Sequence, residues 1–459
     1  MLTREQRCLV TGATGYIGGR LVPRLLQEGY RVRVLARNPA KLASVPWRDH
    51  VEVARGDLGD PGSVAAACDG IDVVYYLVHS MGTTKDFVSA ESRAAGNLVV
   101  AARAGGVRRL VYLGGLHPPG ARLSPHLRSR KAVGDILLAS GIETVVLQAG
   151  VVVGSGSASF EMIRHLTDRL PVMTTPKWVH NKIQPIAVCD VLHYLTAAAA
   201  ADLPCSRAWD IGGPEVLEYG DMMRIYAQIA ELGPRYLIVL PFLTPTIASL
   251  WVGAVTPIPP GLARPLIDSL ECDAVMRNRD IDGIIDPPAA GLTDYRRGVA
   301  LALSRANQGL VDPSWGSSNT APAQPLPSDP DWAGAIVYTD VRDTHCSVPV
   351  QSLWRAIEHL PASTSGRRFP LSWRPKRTPA WAVVDSQHGT LLRLRSHARV
   401  PGIAWLELTA AAQRTGSRYR QRAIFFPRGL PGRLYWNLAR PLHNRALQAL
   451  AHNIIEAAG

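Results

Sequence analysis

The segment TGATGYIG places Gly12, Gly15 and Gly18 at intervals of three residues. An apolar run ends just before Gly12, and a helical pattern with Leu21 and Leu25 on one face follows Gly15. In such a strand–turn–helix unit the first glycine allows a tight turn, and the second lets the backbone approach a pyrophosphate. The third lets the helix pack on the strand, and the helix amino terminus faces the negative charge. The segment predicts a dinucleotide site whose contacts are Gly12, Thr14, Gly15, Tyr16, Ile17 and Gly18.

The next strand, RVRVLARNPAKL, indicates which dinucleotide is bound. Sites for NAD carry an acidic residue about 20 residues after the glycines, where it holds the ribose hydroxyls. No acid occurs between Val32 and Leu42, and Arg37 stands at the end of the strand. A guanidinium there suits a 2′-phosphate. We therefore predict NADP, with NAD as the alternative, and expect GDLGD to place Asp57 and Leu58 beside the adenine.

The chain divides into regions of different pattern. Residues 7–153 alternate short apolar runs with helical stretches, which is typical of an α/β fold with a doubly wound parallel sheet. A substrate lobe is expected at about 154–309, completing a domain over 1–310, and a Pro- and Ser-rich linker at 311–332. Residues 333–459 predict an α+β helix-grip domain, in which a curved antiparallel sheet holds one long helix. The long helix carries Leu434, Leu438, Leu442, Leu447, Leu450 and Ile454. The apolar side of the sheet is expected to be lined by Trp381, Trp405, Leu406, Leu408, Phe425 and Trp436, either around a cavity under the long helix or as ordinary core.

Several motifs together resemble a known family. VTGATGYIGG, VLARNP and GDLGD resemble the atypical, NmrA-like branch of the short-chain dehydrogenase/reductase superfamily. VYYLVHSM, HLRSRKAVGDILLASGI, QPIAVCDV and WDIGGPEVLEYGDMM are similar to a bacterial two-domain form whose C-terminal domain is START-like and of unknown function. The resemblance implies an NAD(P)-binding Rossmann-like domain followed by a helix-grip domain. It implies no particular substrate.

The superfamily reduces carbonyl compounds with a supporting serine, a tyrosine acid and a lysine four residues later. The serine position falls on Gly114 or Gly115, neither of which has a hydroxyl. Counting back from the SG of LLASGI, the family spacing places the other pair at His126 and Arg130. A shift of one residue gives Leu127 and Lys131. Neither register contains a tyrosine.

Because the serine and the tyrosine of the superfamily are missing here, three hypotheses arise. His126 could donate the proton beside the fixed charge of Arg130, since histidine titrates near neutral pH. His79, directly after the fourth strand, could do the same. Alternatively, hydride transfer is lost and the domain senses NADP(H), and each histidine has an ordinary structural role. Arg130 and Lys131 are expected to face the cofactor, and no metal site is predicted.

The segment between Arg235 and Arg264 contains no charged residue but several prolines. A membrane-spanning helix needs about 20 apolar residues. Because of the prolines we predict a buried or lid-forming segment instead, beside a small hydrophobic substrate such as a lipid, quinone or polyketide-like compound. Contact with a membrane surface is the alternative, with LYWNLARPLHNRAL as a second amphipathic contact.

Positive charge is concentrated in the last third of the chain. The whole chain has a net charge of +13, and the part from Asp331 onward has 18 Lys and Arg against 7 Asp and Glu. Alternation on two predicted strands puts one set of basic residues on a common face: Arg393, Arg395, His397, Arg399, Arg418, Arg420 and Arg422. That face is either a solvated outer surface or a contact for an acidic membrane surface or another anionic partner. Nucleic acid is not expected, because no aromatic–basic signature accompanies the charge.

The remaining indications concern location and activity. Six cysteines without a CxxC pair and a polar amino terminus favour the cytoplasm, with attachment to the inner face of the plasma membrane as a possible extension. The favoured function is an NADP-dependent oxidoreductase for a hydrophobic substrate. The alternative is a non-catalytic NADP(H) sensor or a membrane-associated scaffold whose second domain binds lipid. The sequence does not predict an oligomeric state.

Overall fold

The protein is described by a computed structural model. It covers residues 6–79, 87–121, 123–240, 252, 256–308, 337–360, 381–398 and 400–459. The chain forms two compact units. The first comprises 1–167 and 171–334, and the second comprises 168–170 and 335–459.

The first unit is built on a seven-stranded, wholly parallel sheet in the order β11-β6-β5-β4-β1-β2-β3. The strands of this unit are β1 (Arg7–Thr11), β2 (Arg31–Ala36), β3 (Glu52–Arg55), β4 (Val73–Tyr76), β5 (Arg109–Gly115), β6 (Glu143–Ala149), β7 (Val152–Val153), β8 (Val172–Thr175), β9 (Lys182–Ile183), β10 (Ile186–Ala187), β11 (Arg207–Ile211), β12 (Leu217–Glu218) and β13 (Tyr236–Val239).

Helices cover both faces of this sheet. The helices are α1 (Tyr16–Gln27), α2 (Pro61–Cys68), α3 (Phe87–Ala104), α4 (Pro125–Leu138), α5 (Ala158–Arg169), α6 (Val188–Ala197), α7 (Tyr219–Ile229), α8 (Pro260–Asp268) and α9 (Tyr295–Gln308). Helices α1 and α6 contribute Leu21 and Leu195 to the core on one face, whereas α2, α3 and α4 fill the other with Val64, Leu98 and Leu137. The predicted doubly wound, Rossmann-like fold is therefore confirmed.

The strand order reverses between β1 and β4, which are neighbours in the sheet. In a doubly wound sheet the crevice at such a switch point lies beyond the carboxyl ends of the strands, where the loops diverge. The glycine turn after β1 and His79 after β4 both stand at this edge. The fold thus brings two of the predicted features to one place.

The region from 152 onward adds small strand pairs around this crevice: β7 with β10, β8 with β13 and β9 with β12. It is not a separate lobe throughout, since β11 joins the main sheet and α6 packs with α1 in the main core. Of the uncharged segment, β13 and residues from 256 onward are described, and most of 241–255 lies outside the described residues. Among the described helices, none combines the length and the apolar character that a membrane span requires.

The second unit is a separate five-stranded antiparallel sheet in the order β14-β18-β17-β16-β15, accompanied by two described helices. Its elements are β14 (Tyr338–Cys346), α10 (Val350–Glu358), β15 (Trp381–Gln387), β16 (Leu391–Ser396), β17 (Gly402–Gln413), β18 (Gly416–Pro427) and α11 (Gly429–Ala458). Leu353 and Trp354 of α10 and Ile454 of α11 share one core with Leu394 and Leu408 of the sheet. The predicted meander and long closing helix are present.

The arginines of β16 and β18 share the opposite face of this sheet, as the alternation predicts. The register sets Glu407 of β17 directly between Arg393 and Arg422. Arg393 contacts Glu407 at 3.4 Å and Asp385 at 3.2 Å, and its side chain is only 12% exposed. Acidic side chains of the same sheet therefore neutralise part of the stripe. Arg399 lies outside the described residues.

Trp405 does not lie on the apolar face where its hydrophobicity would place it. It pairs with Arg395 and Ile424 on the arginine face, whereas Leu406, the next residue, faces the core. The Arg395 guanidinium lies 5.7 Å from the centroid of the Trp405 ring. Because successive residues of a strand point to opposite faces, Trp405 and Leu406 cannot both line one side.

The leucines and isoleucines of α11 divide between exposed and buried positions. Leu434, Leu438 and Leu442 are exposed by 52%, 79% and 45%, whereas Ile454 is buried. The sheet side is occupied by Trp436, whose ring stacks on Phe425 with centroids 5.4 Å apart and on Tyr338 at 5.5 Å. Large flat aromatic rings gain more from this contact than leucines do, so they decide which side of the helix faces the sheet.

We expect Glu407→Gln to lower the free energy of unfolding of the second unit by about 2–3 kcal/mol, because it leaves two partly buried arginines short of an acid. Urea denaturation of the full chain would measure the change. Asp343→Asn removes the acid beside the exposed Arg418 and should change stability little. Equal effects of the two substitutions would contradict the ion-pair assignment.

Candidate functional site: a dinucleotide cradle and an adjoining pocket

The glycine turn between β1 and α1 has the geometry of a dinucleotide cradle. Gly12 has φ +76°, and a Cβ there would lie 2.6 Å from the Leu77 carbonyl oxygen at the end of β4. A Cβ on Gly18 would lie 2.4 Å from the Gly12 oxygen. At Gly15 the nearest atom is 3.2 Å away, and this residue is exposed. The outer glycines therefore serve close backbone packing, and Gly15 leaves room for a ligand.

The amino terminus of α1 starts at this turn. Its N-cap residue is Gly15, and no side chain caps the helix. The first N–H groups of a helix have no partner within the helix, and with the helix dipole they favour an anion. Thr14, Tyr16 and Ile17 are half-buried around the turn. The predicted cofactor contacts thus surround a site suited to a pyrophosphate.

Three further predicted cofactor residues flank the cradle. Arg37 directly follows β2, is exposed, and makes no ion pair with a described residue. The exposed Asp57 follows β3, and its carboxylate accepts a hydrogen bond from the Gly59 N–H at 2.8 Å. Leu58 is 6% exposed, and its side chain belongs to the core rather than to the surface. Any adenine contact at Leu58 would therefore involve its backbone.

A cavity of about 240 Å³ adjoins the cradle. Tyr16 and Ile17 form one side, and His79, His126 and Arg130 contribute the charged or titratable groups predicted from the sequence. The rest of the wall is mostly apolar and comes from β5, β6, α5 and the region near α8, including Leu113, Leu116, Val151, Met162, Ile183, Leu266 and Leu270. His79, which follows β4, thus meets His126 and Arg130 of α4 in one pocket.

Helix α4 presents His126 and Arg130 to this pocket. It starts after Ser124, whose hydroxyl accepts a hydrogen bond from the Leu127 N–H at 3.2 Å. Residues four apart lie on one side of a helix, so His126 and Arg130 project together. The Ser129 hydroxyl, fully buried, donates a hydrogen bond to Glu91 of α3 and ties the back of α4 to its neighbour.

Arg130 lies beside Gly115, one of the two positions where the superfamily resemblance would place a serine. A Cβ on Gly115 would lie 2.8 Å from the Leu127 side chain and 3.5 Å from Arg130 Nε, so a side chain there would first crowd Leu127. The guanidinium donates a hydrogen bond to the Leu113 carbonyl oxygen at 2.8 Å, and its buried Nε has no hydrogen-bond partner in the described part of the chain. This hydrogen bond orients Arg130 at the wall of the pocket.

Both histidines are held in the neutral state. Burial, together with the charge of Arg130, lowers the pKa of His126 to about 3. Burial, Arg130 and His126 lower the pKa of His79 well below its usual range. The expectation that these side chains titrate near neutral pH is therefore wrong, because a buried imidazolium beside a guanidinium is unfavourable.

Lys131 lies apart from this pocket. Its ammonium pairs with Asp135 at 2.6 Å, and its side chain is 49% exposed. It lines a second, wider cleft of about 1010 Å³ together with Arg128 and Arg277. Of the two registers considered from the sequence, only His126 and Arg130 both line the smaller pocket.

The sequence analysis missed Tyr219 at the start of α7. Its side chain is 3% exposed, and the residue lines the pocket. Burial raises the pKa of Tyr219, so the phenol keeps its proton. The tyrosine stands 93 residues beyond His126, in the segment LEYGDMM, and no local spacing relates it to the glycine turn.

Comparison with known proteins supports the assignment of the first unit. Residues 12–156 match a family model described as NAD(P)H-binding, and residues 354–449 match one described as a protein of unknown function, DUF2867. The curated relatives include a ceramide reductase from Caulobacter vibrioides, 31% identical over 170 residues, which are 36% of this chain and 52% of that protein. A 3β-hydroxysteroid dehydrogenase/Δ5→4-isomerase from Mycobacterium tuberculosis is 36% identical over 122 residues, 24% of this chain and 32% of that protein. The matches thus span about half or less of these relatives.

Solved structures with the same fold include a triphenylmethane reductase from Citrobacter, with a TM-score of 0.52 at 17% identity. The match covers 65% of this chain and 99% of that one. An NADPH-dependent quinone oxidoreductase from Escherichia coli, solved with NADPH, has a TM-score of 0.52 at 17% identity over 64% of this chain and 98% of that one. Such distant likeness shows the fold alone. Together with the family match and the glycine geometry, it establishes the first unit as a Rossmann-like NAD(P)H-binding domain.

The buried neutral histidines predict acid sensitivity. Below about pH 6.5 the unfolded chain binds protons at these imidazoles while the folded chain does not, so stability falls as the pH falls. For His126 alone we expect a loss of about 2 kcal/mol between about pH 6.5 and about pH 5. Urea denaturation at both pH values would measure it.

His126→Gln should reduce the loss of stability between the two pH values. His397→Gln, at an exposed position, should leave that loss unaltered. An acid response of His126→Gln equal to that of the original protein would contradict burial of a neutral imidazole.

Proposed function

We propose that this protein is an NADP(H)-dependent oxidoreductase of the atypical, NmrA-like short-chain dehydrogenase/reductase kind that reduces a hydrophobic carbonyl compound. The observation that carries the proposal is the apolar pocket beside the dinucleotide cradle, lined by Arg130, two neutral imidazoles and a protonated phenol. Bound NADPH would supply a hydride. The protein must then bind the substrate, orient its oxygen and supply a proton.

The preference for NADP rests on the segment after β2. Arg37 is exposed and makes no described ion pair, and no acid between Val32 and Leu42 competes with it. A guanidinium forms charge-assisted, bidentate hydrogen bonds with a phosphate. By contrast, Arg33 of the same strand pairs with Glu52 at 2.9 Å and serves the sheet.

The roles within the pocket follow from charge and protonation. Arg130 places a fixed positive charge beside the cavity, where it would stabilise negative charge developing on a substrate oxygen. Neutral His126 and His79 each have one N–H to donate, and Tyr219 has an O–H. We propose that one of these three donors, with Arg130, replaces the missing Ser-Tyr-Lys set.

The substrate class follows from the apolar wall. A pocket lined by leucine, valine, isoleucine and methionine side chains, with a few convergent polar groups, favours a hydrophobic molecule with one polar end. The relatives named ceramide reductase and 3β-hydroxysteroid dehydrogenase are consistent with a lipid-like substrate for this chain. A quinone or polyketide-like compound remains within the same class.

For the second unit we propose a START-like, lipid-binding role. Support comes from the antiparallel sheet with one long helix packed against it. The matching family there is of unknown function. We also propose a cytoplasmic location.

Replacing Arg37 tests the cofactor preference. Arg37→Gln should weaken NADPH binding about tenfold or more, because charge-assisted hydrogen bonds to the 2′-phosphate are lost, and should leave NADH binding unchanged. Cofactor fluorescence titration would measure both. Lys41→Gln, an exposed cation four residues away, is the matched control, and equal effects of the two changes would contradict a specific role of Arg37.

Turnover tests the activity itself. We expect NADPH oxidation, followed at 340 nm, with long-chain ketones, steroid ketones or quinones, and a loss of about 100-fold or more in kcat for Arg130→Gln. The control is Lys131→Gln, which removes a neighbouring cation that faces the other cleft. His79→Gln, His126→Gln and Tyr219→Phe would identify the proton donor.

Tight NADPH binding without turnover on any of these compounds would contradict the proposal and favour the sensor hypothesis. Turnover that is unaffected by Arg130→Gln would place the chemistry elsewhere.

A further inference from the structure

The exposed leucines of α11 form a continuous apolar ridge. Leu430, Leu434, Leu438 and Leu442 follow one another at intervals of four residues, and their exposed fractions are 41%, 52%, 79% and 45%. Residues four apart on a helix are neighbours on its surface. Exposed apolar rows of this kind mark contact sites more often than solitary exposed leucines do.

The orientation of the helix is held from its other side. The Trp436 ring stacks on both Phe425 and Tyr338, and Gly432 packs so closely that a Cβ there would lie 2.3 Å from the Pro401 carbonyl oxygen. Arg342 also donates a hydrogen bond to the Asn444 carbonyl oxygen at 3.1 Å. Rotation of the leucines toward the sheet would break all of these contacts, so the ridge stays on the surface.

The charged residues of this part of α11 have one sign. From Arg428 to Ile455 the chain contains arginines but no aspartate or glutamate, and the next acid is Glu456. Arg440 and Arg445 are exposed and form no ion pair with a described residue. This distinguishes them from Arg393 and Arg418 on the sheet, which contact acids of their own domain.

We propose that this part of α11, residues 428–445, docks on an anionic lipid bilayer. Helices that lie in a membrane interface combine an apolar row, which enters the acyl boundary, with arginines or lysines that contact anionic headgroups. Residues 428–445 carry both components on a helix that is already folded against its own sheet. The proposal is independent of the catalytic activity, because it uses only residues of the second unit.

The test is co-sedimentation of the purified full chain with phosphatidylcholine vesicles, with and without phosphatidylglycerol. We expect binding to the anionic vesicles, weakened by salt, and little binding to the neutral ones. Leu434→Glu/Leu438→Glu should weaken binding at least tenfold or so, since two leucines would no longer be buried. Val100→Glu introduces one glutamate at a 70% exposed position of α3 and should bind as the original protein does.

A second variant, Arg440→Gln/Arg445→Gln, separates the electrostatic contribution to vesicle binding from the contribution of the leucines. It should lower the preference for anionic vesicles by about fivefold for each arginine. Thermal unfolding would check that every variant is folded.

Failure of the original protein to bind anionic vesicles, or equal binding by the leucine variant, would overturn the proposal. A second copy of this chain is the alternative occupant of the ridge, and sedimentation velocity tests for it. A dimer that becomes monomeric in Leu434→Glu/Leu438→Glu, without vesicle binding, would assign the ridge to a second copy of this chain and overturn the proposal as well.

Discussion

The close backbone approach at Gly12 is the constraint on which the first unit depends. There the turn after β1 passes within contact of the Leu77 carbonyl at the end of β4, and Gly18 brings α1 onto the same turn. A side chain at either position would separate two central strands or displace the helix. Because these strands flank the point where the sheet order reverses, one packing requirement also opens the crevice for the cofactor.

The surroundings of Arg130 determine the electrostatics of the pocket. Its guanidinium lies beside Gly115 and donates a hydrogen bond to the Leu113 carbonyl oxygen, which orients it. Burial, together with this positive charge, lowers the pKa of His79 and His126 and keeps both imidazoles neutral. The pocket thus combines one positive charge with two neutral imidazoles.

Much of the fold and of the candidate site could be predicted from short segments of the sequence. The glycine spacing, the strand–helix alternation and the missing acid after β2 led to the sheet and the cofactor class, because these features depend on residues adjacent in the chain. The position of His126 and Arg130 on one side of α4 was also accessible, since it requires only helical spacing. Tyr219 was not, because no local pattern connects it to the glycine turn. The pKa shift of His126 depends on burial and on Arg130, and only packing decides both.

The second unit shows where local pattern is insufficient. Alternation correctly predicted that the arginines of β16 and β18 share a face, but only the register shows that Glu407 stands between them. The leucine spacing of α11 does not show which side of the helix faces the sheet, and the stacking of Trp436 on Tyr338 and Phe425 leaves Leu434, Leu438 and Leu442 outside. The sequence by itself determined the elements, their order and the dinucleotide cradle, because short-range sterics and periodicity control them. Only the tertiary structure decided which side chains meet in the pocket and which face of α11 remains exposed, because those outcomes depend on competition between residues far apart in the chain.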